Sequence, residues 1–424
     1  MDSRGEWALA IARNASAALA AALAQRASGQ LDGFCPPPAA AAAGGAPPAP
    51  SKFAFDWLAR DAAAVAEINC SWTRQGQRML GGLAFASCVA DPKVDHMSRA
   101  LTESGTYFND QTVSELGAWR LCPPSAPFVI DVGLNLGSFT FTALQLGCHV
   151  IAFEPALNNI GRVARSLAAN PELAARVHIV RNAVGAERLN AVPFVYAPAN
   201  SGGSKIDARF AADPATQFVP QVVLDDLFFP PLGNEAAAAA ATAAGGYRAL
   251  PCSIVNPFTG RALQPQDVGF VKIDAEGYDL RALHGARRSL RAGLASNGGL
   301  MIEFHRRYRR PNPTHPPLAS HSPPTHPSYI PASIAAPGEQ VCDPYATADF
   351  LESEGFRYLH SDRLGVRGSR WLTGARLQRV VHAARTRAPC TAAGKIEHVL
   401  EGLWLRGEML RVANETHTLP ATDA

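Results

Sequence analysis

The side chains that could do chemistry in this chain stand at the ends of short apolar runs. Asp131 lies within Phe128-Val-Ile-Asp-Val, Glu154 follows Val150-Ile-Ala-Phe, Asp274 and Glu276 follow Val268-Gly-Phe-Val-Lys-Ile, and His305 follows Gly299-Leu-Met-Ile-Glu-Phe. Carboxylates and an imidazole in such places can bind donors or take a proton from a reacting group. Between the first two acids runs Gly133-Leu-Asn-Leu-Gly137, a turn that opens a helix. A strand with an acid, a glycine turn, a helix, and a second strand ending in an acid about twenty residues on make a nucleotide cradle at the carboxyl edge of a parallel sheet.

The glycine spacing sets this cradle apart from a pyrophosphate site. Such a site wants Gly-x-Gly-x-x-Gly, with bare backbone against phosphate and no carboxylate at the start of the loop. Here Asp131 precedes Gly133, and Asn135 stands where phosphate would need room. A carboxylate there suits a ligand with positive charge and donors, such as the amino group and sulfonium of S-adenosylmethionine. Glu154 can accept hydrogen bonds from both ribose hydroxyls. Asp131, Gly133, Asn135, Gly137 and Glu154 are therefore the expected cofactor residues. Asn182 and Ala183 would lie under the adenine, where a small residue permits stacking and an amide reads the base edge; a plain strand-to-turn transition is the other reading.

The elements that must hold these residues alternate. Strands are expected at Phe128 to Val132, Val150 to Phe153, Val177 to Val180, Val268 to Ile273 and Gly299 to Phe304. Between them Ile160, Val163, Ala164 and Leu167 line one helix that Asn170-Pro171 ends, and Leu280, Leu283, Ala286 and Leu290 line another that Gly293 stops. Alternation of this kind demands a mostly parallel, doubly wound α/β sheet with helices on both faces. Ala346 to Gly355, Phe356 to Leu359 and Leu403 to Leu410 could add a helix and a closing antiparallel hairpin.

The ordered set Asp131-Val-Gly-Leu-Asn-Leu-Gly137, Ala152-Phe-Glu-Pro155, Asn182-Ala-Val-Gly185, Val223-Leu-Asp-Asp226, Lys272-Ile-Asp-Ala-Glu-Gly277 and Met301-Ile-Glu303 resembles the FkbM family of S-adenosylmethionine-dependent methyltransferases. The resemblance covers Phe128 to Phe304 and runs more loosely to Leu405. Leu134, Leu136 and Ala275 depart from the family pattern by small apolar exchanges. It implies a class I, Rossmann-like methyltransferase fold. It also implies transfer of a methyl group to a hydroxyl, on a carbohydrate or other small molecule.

Methyl transfer is an in-line displacement at carbon, so the protein mainly aligns the acceptor and excludes water. A hydroxyl acceptor gains from a base. Asp274, Glu276 and His305 are the candidate catalytic residues, with Asp274 expected nearest the reacting centre. Each has a structural alternative: Asp274 could hold a turn, Glu276 could cap the helix near Tyr278, and His305 could face solvent beside Arg306-Arg-Tyr-Arg-Arg310. Lys272 is expected to be structural or to pair with an acid. Glu303 with Asp274 is a secondary idea for a divalent cation, and no metal is assigned. Ser201-Gly-Gly-Ser204 could close over substrate or form a turn, and Asp225 and Asp226 could contact sugar hydroxyls or begin a helix.

Composition bounds the rest. The formal net charge of +3 and a single local basic cluster give no strong nucleic-acid signal, and no Asn-Pro-Pro-Tyr sequence favours an amino-group target. Of the 424 residues, 1–51 are expected to be a low-complexity lead, 52–122 a helical cap, 123–410 the catalytic domain with low-complexity inserts at 231–250 and 309–340, and 411–424 a tail. No apolar run is long enough to span a bilayer. The 8 cysteines include no Cys-x-x-Cys pair and read as free thiols in a reducing space. Asn14, Asn69 and Asn414 open N-x-Ser/Thr sequons, which occur often by chance. The default compartment is therefore cytoplasmic, with organelle targeting by the N-terminal segment as the alternative; the oligomeric state is left open. Other function classes are a methyltransferase for a lipid, carboxyl or protein acceptor, a binding or scaffold protein that keeps the pocket without turnover, and a nicotinamide oxidoreductase, against which the loop chemistry stands.

Overall fold

The computed structural model describes residues 67–75, 85–105, 121–229, 256, 258–259, 261–296, 298–304, 351, 356–360, 370–372 and 400–405. Its strands are β1 (Ser71–Gln75), β2 (Phe85–Val89), β3 (Phe128–Val132), β4 (His149–Phe153), β5 (Val177–Val180), β6 (Ala183–Val184), β7 (Leu189–Val195), β8 (Lys205–Ile206), β9 (Gln217–Val222), β10 (Val268–Ile273), β11 (Gly299–Phe304), β12 (Arg357–His360), β13 (Arg370–Leu372) and β14 (Leu400–Leu405). The helices are α1 (His96–Ser104), α2 (Ser138–Gln145), α3 (Leu157–Ala169), α4 (Pro171–Ala174), α5 (Asp279–His284) and α6 (Arg287–Arg291).

The main sheet has the order β13-β12-β14-β11-β10-β3-β4-β5. The run from β11 to β5 is parallel. The last strand in sequence, β14, inserts antiparallel between β11 and β12. This is the expected α/β, Rossmann-like architecture with its closing antiparallel edge.

The strands form because they are apolar on both faces, and their period of two sorts them into two cores. Val129, Val150, Ala152 and Phe270 pack with Phe139, Phe141 and Leu144 of α2 and Ile160, Val163 and Leu167 of α3. Ile130, Ile151, Phe153, Val271 and Ile273 pack on the other face with Leu283 of α5 and Leu290 of α6. The helix expected to run unbroken through Leu280 and Leu290 divides at Gly285. The Gly285 carbonyl accepts a hydrogen bond from Asp225 N at 2.8 Å, and the Asp225 carboxylate takes Ser289 N at 2.7 Å and Arg288 N at 3.1 Å. Asp225 thus replaces the helix's own ladder. Asp226 forms a bidentate pair with Arg188.

A second sheet, β6-β9-β7-β8, not expected from the sequence, has a small core of its own around Ala156, Val192, Phe194 and Val219. Nor is the lead-in purely helical. β1 and β2 form an antiparallel hairpin, and β2 docks on α3 through Cys88 N to Ser166 Oγ at 2.8 Å and a reciprocal pair between Ala86 and Asn170. Of the helix expected from Lys52 to Ile68, all but the last two residues lie outside the described residues, and those two are not helical.

The free-thiol reading is overturned for the cysteines described. Cys70 is bonded to Cys88 and Cys122 to Cys148. The first bond crosses the β1–β2 hairpin. The second joins the segments leading into β3 and β4, which begin side by side with His149 N donating to Pro127 O at 2.9 Å. Cys35, Cys252, Cys342 and Cys390 lie outside the described residues, as do both low-complexity inserts and the tail. Among the described residues no helix is long and apolar enough to cross a membrane.

Candidate active site

Chain order reverses between β3 and β10. From β3 the chain moves outward to β4 and β5, then returns to lay β10 and β11 on the other side. The carboxyl ends of β3 and β10 therefore stand at the switch point, which is where open α/β sheets bind ligands.

The β3 loop is drawn tightly over the strand ends. Gly133 N and Leu134 N each donate to Phe153 O at 3.0 Å, and Asp274 N donates to Val132 O at 3.0 Å. Gly133 has φ +84, and a Cβ there would lie 1.8 Å from the Asp274 carbonyl oxygen. Only glycine fits, because both the left-handed backbone and the close approach exclude a side chain. Asn135 follows at φ 51, a conformation asparagine tolerates better than most residues. Gly137 ends the loop at φ 83, as N-cap of α2.

Glu154 lies just past β4 and is 4% exposed. Its Oε2 accepts from Asn135 N at 2.7 Å and its Oε1 from Ala156 N at 2.8 Å. Burial pushes its carboxyl up to about 7, with the two backbone N–H groups pulling the other way. Glu154 N and Asn182 N converge on the same Val180 carbonyl, at 3.1 and 2.9 Å, which brings the ends of β4 and β5 together. Asn182 is 5% exposed, and its Nδ2 finds no hydrogen-bond partner among the described residues. The same is true of Asn135 Oδ1. Ala183 is buried in β6 against Val192 and Phe194. A buried amide atom without a partner costs about 1–3 kcal/mol, so a polar ligand that satisfies these two atoms is favoured here.

Asp131 shares the face of Val129, under α2, and is 0% exposed. Its Oδ2 accepts from Thr140 Oγ1 at 2.7 Å and its Oδ1 from Lys272 Nζ at 3.1 Å. Both oxygens are engaged within the protein, one by α2 and one by β10. Desolvation raises its carboxyl above the usual range, while Lys272 and Thr140 oppose the shift. Lys272 Nζ also donates to Gly133 O at 2.7 Å and lies 3.6 Å from Asp274 Oδ2. One ammonium therefore ties β3, its glycine loop and the end of β10 into a unit.

Asp274 is more open than Lys272, with its side chain 23% exposed at the carboxyl end of β10. Glu276 sits in the turn that follows, at φ 53, ahead of Gly277 at φ 92. That turn is held by Asp279, a residue not singled out from sequence, whose carboxylate accepts from Ala275 N at 2.7 Å and Gly277 N at 2.9 Å. Burial, then the nearby Asp274 charge, raises the Asp279 carboxyl to about 7. An acid in the first turn of α5 was the available signal. His305 lies outside the described residues, and so does the side chain of Glu303, so the idea of a cation between Glu303 and Asp274 falls there too. Among the described residues no cluster of His, Cys, Asp or Glu could hold a metal ion.

Asp95 was also missed. Fully buried, it caps α1 through Ser98 N at 2.8 Å and reaches Ser201 N at 2.7 Å. It thereby pins the 3₁₀ turn Ser201–Gly203, whose Gly202 approaches the Asn135 side chain, so Ser201-Gly-Gly-Ser204 is a fixed turn.

Residues 131–318 match the family model described as the methyltransferase FkbM domain. No curated protein matches the chain. Among solved structures, a precorrin-6y C5,15-methyltransferase from Geobacter metallireducens is similar over 70% of this chain and 89% of its own, at 11% identity and a TM-score of 0.27, a likeness too slight to carry an argument.

Proposed function

From a chain whose residues 131–318 match the FkbM methyltransferase domain, we propose an enzyme that takes its methyl group from S-adenosylmethionine and places it on a hydroxyl oxygen of a carbohydrate or other small molecule. The observation that carries the cofactor reading is the group at the ends of β3, β4 and β5: a buried Glu154 carboxylate that holds Asn135 N, and polar side-chain atoms of Asn135 and Asn182 without partners among the described residues. In this reading Glu154 accepts from the ribose hydroxyls. Asn182, Ala183 and Asn135 line the nucleoside, and Gly133 and Gly137 shape the loop beneath it. Asp131 holds Lys272 and through it the loop. The cofactor supplies an electrophilic methyl on a sulfonium, and the protein supplies alignment and a dry site.

Asp274 is the proposed base, because it is a partly exposed carboxylate at the switch point. Glu276 stands two residues on, in the turn that Asp279 holds, and His305 follows β11. An Asp274→Asn variant is expected to lower kcat by on the order of 10²-fold while leaving cofactor affinity close to wild type. Single-turnover kinetics separate the two effects, and full activity would move the base elsewhere.

The cofactor assignment is tested by titration calorimetry with S-adenosylhomocysteine. Glu154→Ala is expected to weaken binding by more than about tenfold, the loss of two charge-assisted hydrogen bonds. Unchanged affinity in the folded variant would remove the nucleoside from this site. Retained binding without transfer to any hydroxyl, lipid, carboxyl or protein acceptor would favour a scaffold role.

The same titration has a pH signature. The free Glu154 carboxyl titrates at about 7, and its ionised form is the better acceptor, so binding releases a proton below that value. Affinity is expected to rise between about pH 6 and pH 7 and to level off above, by linkage. Glu154→Gln, which cannot ionise, is expected to bind more weakly with that rise removed. A wild-type affinity that falls as pH rises through this window would contradict the role.

A further inference from the structure

We propose that Asn69 is an acceptor for an N-linked glycan and that the chain folds in an oxidising compartment. Two independent observations meet at this residue. The first is redox: every cysteine among the described residues is bonded, Cys70 to Cys88 and Cys122 to Cys148. Disulfides that staple structural elements form and persist where thiols are not kept reduced, as in the secretory pathway. Both bonds are structural. One closes the β1–β2 hairpin and the other the joined starts of β3 and β4, and neither lies among the candidate site residues.

The second is the sequon Asn69-Cys70-Ser71. A sequon counts only where its asparagine can carry a bulky polar substituent. Asn69 is exposed, immediately ahead of β1, while the neighbouring Ile68 is buried and Cys70 is tethered to Cys88. The side chain therefore points to solvent from a fixed base, and a glycan there displaces no packed group. The other two sequons, at Asn14 and Asn414, lie outside the described residues.

The chemistry balances without an oxidant. The Asn69 amide nitrogen attacks the anomeric carbon of an oligosaccharide carried on a lipid pyrophosphate. An N–C bond forms, the C–O bond to pyrophosphate breaks, the lipid pyrophosphate departs, and the amide loses one proton to solvent.

The test uses the full chain expressed in cultured eukaryotic cells, denatured and treated with a peptide N-glycosidase. The expected result is a downward mobility shift, together with deamidation at position 69 in the released peptide. Asn69→Gln and Ser71→Ala are expected to abolish that deamidation and Ser71→Thr to keep it, since threonine also completes the sequon. Readout on denatured protein removes any dependence on how the variants fold. Absence of deamidation at position 69, or a shift abolished by Asn14→Gln or Asn414→Gln alone, overturns the acceptor assignment. Alkylation of the unreduced protein supplies the compartment arm: Cys70, Cys88, Cys122 and Cys148 are expected to stay unlabelled, and their labelling overturns the oxidising compartment.

Discussion

Lys272→Met is expected to lose about 3–5 kcal/mol of folding stability, the penalty for removing one partner of a buried ion pair. Lys272 is 5% and Asp131 0% exposed by side chain, and the ammonium supplies one of the two side-chain donors to that carboxylate. Without it Asp131 keeps only the Thr140 hydroxyl. The Gly133 carbonyl loses a donor as well. Denaturant unfolding at neutral pH should show the loss as a lowered midpoint. Its pH dependence has a definite sign. Burial already raises Asp131 in the folded protein, and loss of the cation raises it further, so the variant's deficit should shrink as pH falls and the carboxyl takes up a proton. Asp131→Asn combined with Lys272→Met should recover part of the loss, because no unpaired charge remains. A single variant as stable as wild type would mean that the pair is not the buried clamp described.

Gly133→Ala is expected to weaken S-adenosylhomocysteine binding and turnover by more than about 100-fold. Two penalties add at this residue. Its φ of +84 disfavours any side chain, and its Cβ would stand 1.8 Å from the Asp274 carbonyl oxygen. The first is worth about 1–2 kcal/mol. The second cannot be relieved by a rotamer change, because the obstacle is backbone; the β3 loop and the end of β10 must part. Gly277→Ala separates the two penalties. Gly277 has φ +92 with nothing within 4 Å of the position a Cβ would take. It should therefore show only the conformational penalty, seen as a modest fall in melting temperature. Equal effects of the two substitutions on binding would remove the close approach from the explanation.

What could be read from the chain was whatever depends on local pattern. The five parallel strands carry apolar residues on both faces, and each strand lies within about a residue of its expected limits. Glu154 was legible as the acid that closes β4. Asp131 was legible as an acid near the end of β3, but not the neighbours it would meet. Period two puts it on the same face as Val129, beneath α2, and the register sets Lys272 directly across from it. A lysine inside an otherwise apolar strand was the signal, and only the pairing of β3 with β10 tells which acid it meets. The disulfides were beyond reach for a similar reason. Separations of 18 and 26 residues have no meaning until the hairpin and the neighbouring strand starts bring the sulfurs together. The sheet β6-β9-β7-β8 escaped notice because β6 and β8 are only 2 residues each and the longer β7 and β9 are interrupted by Pro193 and Pro220.

The docking of the β1–β2 hairpin and α1 decides where a usable fragment of this protein can start. A fragment cut at Asp131, where the family match begins, would strip Phe85 from the Phe141 ring it stacks on at 4.6 Å, leave Ser166 and Asn170 without their backbone partners in β2, and release the Ser201 turn from Asp95. It would also remove the Cys70–Cys88 bond and leave Cys148 without Cys122. The smallest piece that keeps its helical layer covered therefore includes the hairpin, beginning ahead of Cys70. The unit that folds is larger than the unit that sequence comparison recognises.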